Sequence, residues 1–259
     1  MKALKISGVS ELIDDGPMFK ALIWDELQEF ERRVSGYPGT LPEYADGDIA
    51  DDNLDYVRGW FELAVSQFFI GARKLAESHK LSISNEARKY SFEWYPARDS
   101  GVLPDKMTIH RYREYYEIDN PRSAALQLRE LANQVIHSRI LEPEFAILPE
   151  GGIEMNGFHL ASDRECSRGI LWIPWDCIRE IANLLLTDDI VHSRHIRDGR
   201  GEFVQISQSA EDLEKPQAQL HEEWLSIAGN RNSLKRLKKS YLELSYPVLD
   251  IDKILDDQN

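Results

Sequence analysis

Residues 53–80, NLDYVRGWFELAVSQFFIGARKLAESHK, are the most strongly patterned stretch of this 259-residue chain. Seven apolar residues in it recur at the spacing of one helix face: Leu54, Val57, Phe61, Ala64, Phe68, Ala72 and Leu75. Five more extend the apolar surface around the cylinder: Tyr56, Trp60, Leu63, Phe69 and Ile70. A helix that is apolar over most of its circumference packs against neighbours on several sides. The stretch therefore predicts the central helix of a bundle.

Two further helices are predicted on either side of this stretch. The first runs from Pro17, a residue suited to the first helical position, to a stop at Gly36, with apolar residues at helical spacing between them. The second is predicted over residues 121–140, with Asn120 as its N-cap and Pro121 at its first position. These three helices make the first part of the chain a predicted helical domain.

The character of the sequence changes after about residue 142. Short β-prone runs alternate with the turn pairs Gly151-Gly152, Asn156-Gly157 and Asp198-Gly199, and one helix, PWDCIREIANLLL, interrupts them. We therefore expect an α+β protein that is predominantly a helical bundle, with a small, mainly antiparallel sheet and a C-terminal helical arm. The expected domains are a helical bundle over residues 1–142, a small α/β subdomain over 143–210 and the arm over 211–259.

Composition limits the classes of function. The chain has 45 acidic and 31 basic residues and a net charge of −14, which excludes a surface that attracts nucleic acid everywhere. No stretch has the apolar length of a membrane span or of a signal peptide, so we expect a cytoplasmic protein without membrane contact. Two cysteines fit a reducing compartment. No nucleotide or phosphate-loop motif is present, and no cofactor is expected.

Three polar residues at four-residue spacing stand out on the predicted helix 121–140: Arg129, Asn133 and His137. Arg129 projects between Ile136 and Ile140, inside the apolar arc of that helix, and a buried arginine requires a partner. One interpretation is a structural polar cluster that holds helices in register. The other is a functional site, in which His137 exchanges protons, Arg129 contacts a phosphate and Asn133 orients either group.

The segment ANQVIH, residues 132–137, resembles the Arg-Asn-x-x-x-His element of the HEPN superfamily of helical bundles. Asn133 and His137 match, whereas Ala132 stands at the arginine position, and Arg129 lies one turn earlier. Many HEPN proteins are metal-independent ribonucleases of toxin–antitoxin and anti-phage defence systems, and they often form dimers. The resemblance thus implies a HEPN-like bacterial protein that binds or cleaves RNA through Arg129, Asn133 and His137, as a possible homodimer. The missing arginine argues for lost or altered nuclease activity, which would leave a bundle used for binding RNA, nucleotide or a protein.

Other candidate sites are weaker. A basic helix face at 231–239 could bind RNA or an acidic partner, although a solvated face is the simpler interpretation; its cations are Lys235, Arg236, Lys238 and Lys239. A zinc site is not expected, because Cys166 and Cys177 lack the close spacing of ligand pairs and only His192 and His195 have a suitable spacing. The alternative function is a non-enzymatic interaction or regulatory subunit that docks a protein partner on its acidic surface.

Overall fold

The computed structural model describes residues 16–36, 47–98, 103–104, 108–149, 152–197, 203–216, 219–220, 223 and 226, with backbone only at 47–55, 110, 147, 194–197 and 203–204. The chain divides into two compact units. The first comprises residues 1–78 and 89–187, and the second comprises residues 79–88 and 188–259. The described helices and strands of the first unit are α1 Gly16–Ser35, α2 Gly47–Glu77, β1 Lys89–Pro96, a 3₁₀ helix Ile109–Glu114, β2 Arg122–Gln127, α4 Leu128–Ile136, β3 Ser138–Ile147, β4 Ile153–Ser162, β5 Gly169–Pro174 and α5 Trp175–Thr187. Those of the second unit are α3 Ile83–Ala87, β6 Ile190–Arg197, β7 Phe203–Ser209 and α6 Ala210–Glu214.

A five-stranded antiparallel sheet organises the first unit, with strand order β2-β1-β5-β4-β3. Its strands follow from the alternation of residue types along the chain. In β1, Tyr90 and Phe92 are buried while Lys89, Ser91 and Glu93 are exposed. Because successive side chains of a strand point to opposite faces, this alternation gives the sheet one apolar face at β1.

Helices cover one face of this sheet. Phe158 of β4 lies against Phe61 of α2, with ring centroids 5.3 Å apart, and Phe30 of α1 lies 5.2 Å from Trp175 of α5. The helices α1 and α2 pack closely, since a Cβ added at Gly71 would lie 2.5 Å from the Ile23 side chain. The helical layer therefore forms a single aromatic core with the sheet.

The opposite face of the sheet is covered by the 3₁₀ helix and the chain around it. Tyr112 and Tyr116 from this segment are buried in a second core with residues of four strands: Tyr95, Ile140, Ala161 and Ile170. The Tyr116 hydroxyl donates a hydrogen bond to the backbone oxygen of Cys166 at 2.9 Å. The first unit thus has helices on one side of its sheet and an irregular aromatic layer on the other.

The predicted predominantly helical bundle is therefore wrong. The element that corrects it most clearly is the predicted helix 121–140, which contains β2, the nine-residue α4 and the start of β3. The helix is capped by a reciprocal pair between Gln127 and Glu130 rather than by Asn120. The predicted domain boundary after residue 142 falls inside β3, which pairs with β4. Within residues 121–140, only residues 128–136 form the helix that the apolar spacing predicted.

The strongly apolar helix α2 packs against α1, α4 and the sheet, as expected of a helix with neighbours on several sides, but one face of it is exposed. Val57, Phe61, Phe68, Ala72 and Leu75 are buried, as the principal stripe predicts. Three of the additional apolar residues are instead exposed, with 67% of Tyr56, 55% of Leu63 and 47% of Ile70 accessible to solvent. The expectation that α2 packs on several sides does not hold for this outer face.

The second unit is built on the antiparallel hairpin β6-β7. The Ser207 hydroxyl donates to the backbone oxygen of His79 at 2.6 Å, and the Ser82 amide donates to Asp188 at 2.8 Å. The side chain of Ser209 caps α6 by accepting from the Asp212 amide. These bonds join α3 and α6 to the hairpin.

Candidate functional site

The structure places Arg129, Asn133 and His137 along one side of α4. Arg129 and His137 are exposed and Asn133 is half-buried, whereas the buried residues of the helix are Leu128, Leu131, Ala132 and Val135. The prediction that Arg129 lies inside the apolar arc fails because Ile140, which formed one border of that arc, belongs to β3. Among the described residues, Arg129 has no ion-pair partner, so it is not a buried structural arginine.

The three residues of α4 do not converge on one point. His137 is the C-cap of the helix, and its backbone amide donates to the oxygen of Asn133 at 3.1 Å. Arg129 and His137 are eight residue steps apart, which separates their α-carbons by about 12 Å along a helix. Helical side chains lean towards the N-terminus, so the long Arg129 side chain extends away from His137. A single phosphate cannot bridge the two groups without a change in the helix.

A row of polar and aromatic residues crosses the sheet on the face opposite the helices. The strand register places Glu142 opposite His159, His159 opposite Trp172 and Trp172 opposite Glu93. His159 is buried, and the Trp172 and Tyr112 rings lie 4.8 and 4.9 Å from its imidazole. The sequence analysis did not identify this row. The alternation of residue types along the strand that contains His159 could have placed His159 on one face of a sheet.

The imidazole of His159 ends a short hydrogen-bond chain. The Tyr112 hydroxyl lies 2.8 Å from His159 Nδ1, and Arg113 Nε donates to the same hydroxyl at 3.3 Å. The Tyr112 hydroxyl therefore links the Arg113 guanidinium group to the His159 imidazole. Burial, and then the nearby positive charge of Arg113, lowers the pKa of His159 to about 4. The histidine is therefore neutral near neutral pH and fastens the 3₁₀ helix to the sheet.

An open groove lies between α1, β4 and α5, with a volume of about 710 Å³. Apolar and acidic side chains share its lining: Val34, Leu148, Ile153 and Met155, and Asp25, Glu29, Glu31 and Glu154. Glu31 joins α1 to α5, because its Oε1 accepts from Trp175 Nε1 at 2.6 Å and from Arg179 Nε at 2.7 Å. Charge-assisted hydrogen bonds thus fix two walls of the groove, α1 and α5, to each other.

The second unit contains a compact ion-pair cluster. Ser84 contacts both Asp212 and Lys215, and Lys215 Nζ lies 3.1 Å from Glu223 Oε1. Asp212 is fully buried, and burial raises its pKa. Lys215 is also within 4 Å of Glu211 and Asp212, so its ammonium group is committed to carboxylates, and the Ser84 hydroxyl donates to Asp212 and Glu223. The cluster is a structural network. The Ser209-x-x-Asp212 cap is its one signal in the sequence.

The remaining predicted sites have different outcomes. The basic face of Lys235, Arg236, Lys238 and Lys239 lies outside the described residues. Cys166 is buried and Cys177 is half-buried, and burial raises the pKa of Cys177 to about 11. Within the described ranges, no three His, Cys, Asp or Glu residues form a cluster suited to a metal ion. The described helices include none with the length and apolar character needed to cross a membrane.

Comparisons of the chain with models of protein families, with curated proteins and with solved structures find no match.

Proposed function

We propose that this chain is a non-enzymatic interaction subunit whose acidic groove binds a basic, partly apolar segment of a partner protein. The observation that carries the proposal is the groove between α1, β4 and α5, where Val34, Ile153 and Met155 are buried beside acidic side chains. Its volume of about 710 Å³ is in the range of protein ligand pockets and gives room for a few side chains of a peptide.

The charges of the groove favour a cationic occupant. Four carboxylates and two guanidinium groups line it, a difference of two negative charges. Both guanidinium groups are already engaged, Arg32 by Glu29 and Arg179 by Glu31 and Asp176. Asp25 has no ion-pair partner among the described residues, and Glu154 approaches Arg179 only to 4.0 Å. A lysine or arginine side chain of a partner would form ion pairs with these two carboxylates. The net charge of −14 would also speed the approach of a positively charged partner.

A peptide-binding experiment tests this proposal. The probe is a labelled synthetic peptide of alternating leucine and lysine, and its counterpart has glutamate in place of lysine. We expect fluorescence anisotropy to show binding of the lysine peptide alone, weakening with added salt. The double variant Asp25→Lys/Glu154→Lys should weaken binding by about tenfold or more, since charge pairs at an interface contribute more than about 1.4 kcal/mol.

The control for that experiment carries the same change of charge elsewhere. Asp119 and Asp163 are exposed, lie outside the groove lining and can both be replaced by lysine. If the Asp119→Lys/Asp163→Lys protein loses binding as strongly as the groove variant, the net charge and not the groove attracts the peptide, and the proposal is rejected. Equal binding of both peptides also rejects it.

The exposure of Arg129 and His137 favours a second candidate, an RNA-contacting site on α4. In this candidate Arg129 contacts a phosphate, Asn133 orients it and His137 acts as general acid or base. The spacing of about 12 Å along the helix suits contacts to separate phosphates of one strand. The acidic composition of the chain opposes it, which is why it stands second.

An RNA-cleavage assay tests the second candidate. If His137 is a general acid or base, the wild-type protein cleaves labelled single-stranded RNA, and His137→Ala slows cleavage by about 100-fold or more. His192→Ala is a matched control, because His192 is also exposed but lies on β6 in the second unit. Cleavage at equal rates by wild type and His137→Ala, or by neither protein, rejects the catalytic role.

A further inference from the structure

The outer face of α2 carries a line of apolar side chains that the described part of the chain leaves exposed. Tyr56, Leu63 and Ile70 follow one another at seven-residue intervals and are 67%, 55% and 47% exposed. Residues at this interval lie nearly in line along a helix, and they form the seam when two helices pair side by side. The line is therefore suited to a second helix.

The residues between these apolar side chains are small. Gly59 and Ser66 each lie three residues after a member of the apolar line, at the second seam position of the heptad. Nothing lies within 4 Å of the place where a Cβ of Gly59 would be, whereas a Cβ at Gly71 would meet Ile23 at 2.5 Å. Glycine inside a helix is destabilising compared with alanine, and the packing of the described chain does not require Gly59. A close approach by another helix backbone would require it.

We propose that the outer face of α2, defined as Tyr56, Gly59, Leu63, Ser66 and Ile70, is a homodimer interface in which two copies of α2 pack antiparallel about a two-fold axis at Leu63. This arrangement is self-complementary, as a two-fold interface must be. Leu63 packs on Leu63 of the second copy, and Tyr56 packs on Ile70 of the second copy. Each large side chain of the line thereby gains an apolar partner.

The charges along α2 favour the antiparallel orientation. The sequence has aspartates at positions 51, 52 and 55 near the start of the helix, while Arg73 and Lys74 lie near its end. With Leu63 on the axis, position 52 stands opposite position 74 of the second copy, so that acidic and basic ends meet. Glu77 contacts both Arg73 and Lys74 within the helix, but these exposed pairs are weak and leave one positive charge uncompensated. Parallel pairing would instead bring like charges together.

This interface is separate from the proposed groove. None of its five residues lines the groove between α1, β4 and α5. A seam on one helix face is smaller than a standard interface, so we expect a dimer that dissociates on dilution rather than an obligate one. The dimer and the groove can therefore succeed or fail independently.

Sedimentation velocity of the full chain over a series of concentrations tests the dimer. We expect the wild type to shift from monomer to dimer, and Leu63→Glu to raise the dimer Kd by about 100-fold or more, because each substitution acts twice across the axis. The matched control is Leu213→Glu, since Leu213 is 54% exposed and belongs to α6 of the second unit. A wild type that stays monomeric at all concentrations, or a dimer that Leu63→Glu leaves intact, overturns the proposal.

Gly59 and engineered cysteines test the geometry. Gly59→Leu should weaken the dimer, because the leucine side chain keeps the two helices apart. At concentrations where the protein is monomeric, the melting temperature of this variant should equal or exceed that of the wild type, because leucine favours the helix.

Under copper-phenanthroline oxidation, in which two thiols lose two electrons and two protons to the oxidant, Leu63→Cys should cross-link to Leu63→Cys of the second copy. Tyr56→Cys should cross-link only when mixed with Ile70→Cys. Self-cross-linking of Tyr56→Cys overturns the antiparallel arrangement, and wild-type protein controls for Cys166 and Cys177.

Discussion

Trp175→Ala is expected to reduce the free energy of unfolding by about 3–5 kcal/mol, the usual cost of removing a large buried aromatic side chain. Trp175 is 1% exposed and lies 5.2 Å from the ring of Phe30. Its Nε1 also donates to Glu31 Oε1 at 2.6 Å, so the substitution removes a bond that fixes α1 to α5. A typical domain has only about 5–15 kcal/mol of stability in total, and the first unit should therefore unfold much more easily.

Denaturant unfolding followed by near-ultraviolet circular dichroism measures this effect. Trp175→Phe separates the two contributions, because phenylalanine keeps an aromatic ring against Phe30 but donates no hydrogen bond. We expect it to cost about 1–3 kcal/mol, as for a lost hydrogen bond to a charged group. A loss of less than about 1 kcal/mol in Trp175→Ala, the range of an ordinary surface change, would contradict the packing of α5 on α1.

Acidification is expected to destabilise the first unit through His159. The pKa of this histidine is about 4 in the folded protein and 6.5 in an ordinary setting, so only the unfolded state binds its proton between these values. The contribution of the neutral His159 to the free energy of unfolding is complete above pH 6.5 and declines as the pH falls towards 4. The linkage amounts to about 1.4 kcal/mol per pH unit, or about 3 kcal/mol in all.

Unfolding measured at a series of pH values tests this dependence. His159→Gln removes the titration but retains an oxygen that can accept from Tyr112, so its stability should change less between pH 6.5 and 4.5 than that of the wild type. The comparison cancels the contributions of carboxylates near His159, including Glu142, which stands opposite it on β3. Parallel profiles of wild type and His159→Gln would show that His159 is not buried and neutral.

The candidate sites differ in how far local sequence could predict them. The spacing of Arg129, Asn133 and His137 identified residues that do share one side of a helix. Their exposure could not be predicted, because it depends on where the helix ends and β3 begins. The groove and the His159 row could not be found from spacing, since they join residues that are distant in the chain, such as Tyr112 with His159 and Glu31 with Arg179.

The sequence by itself determined the helices whose apolar residues repeat over many turns, above all α1, α2 and α5, because helical periodicity is a local property. Only the tertiary structure decided that a sheet and not a bundle organises the first unit. Strands β1 and β2 are stabilised by pairing with partners far along the chain, and the helical spacing of residues 128–136 extended misleadingly into the neighbouring strands β2 and β3. Tertiary packing likewise decided which apolar side of α2 is buried, and so left Tyr56, Leu63 and Ile70 at the surface.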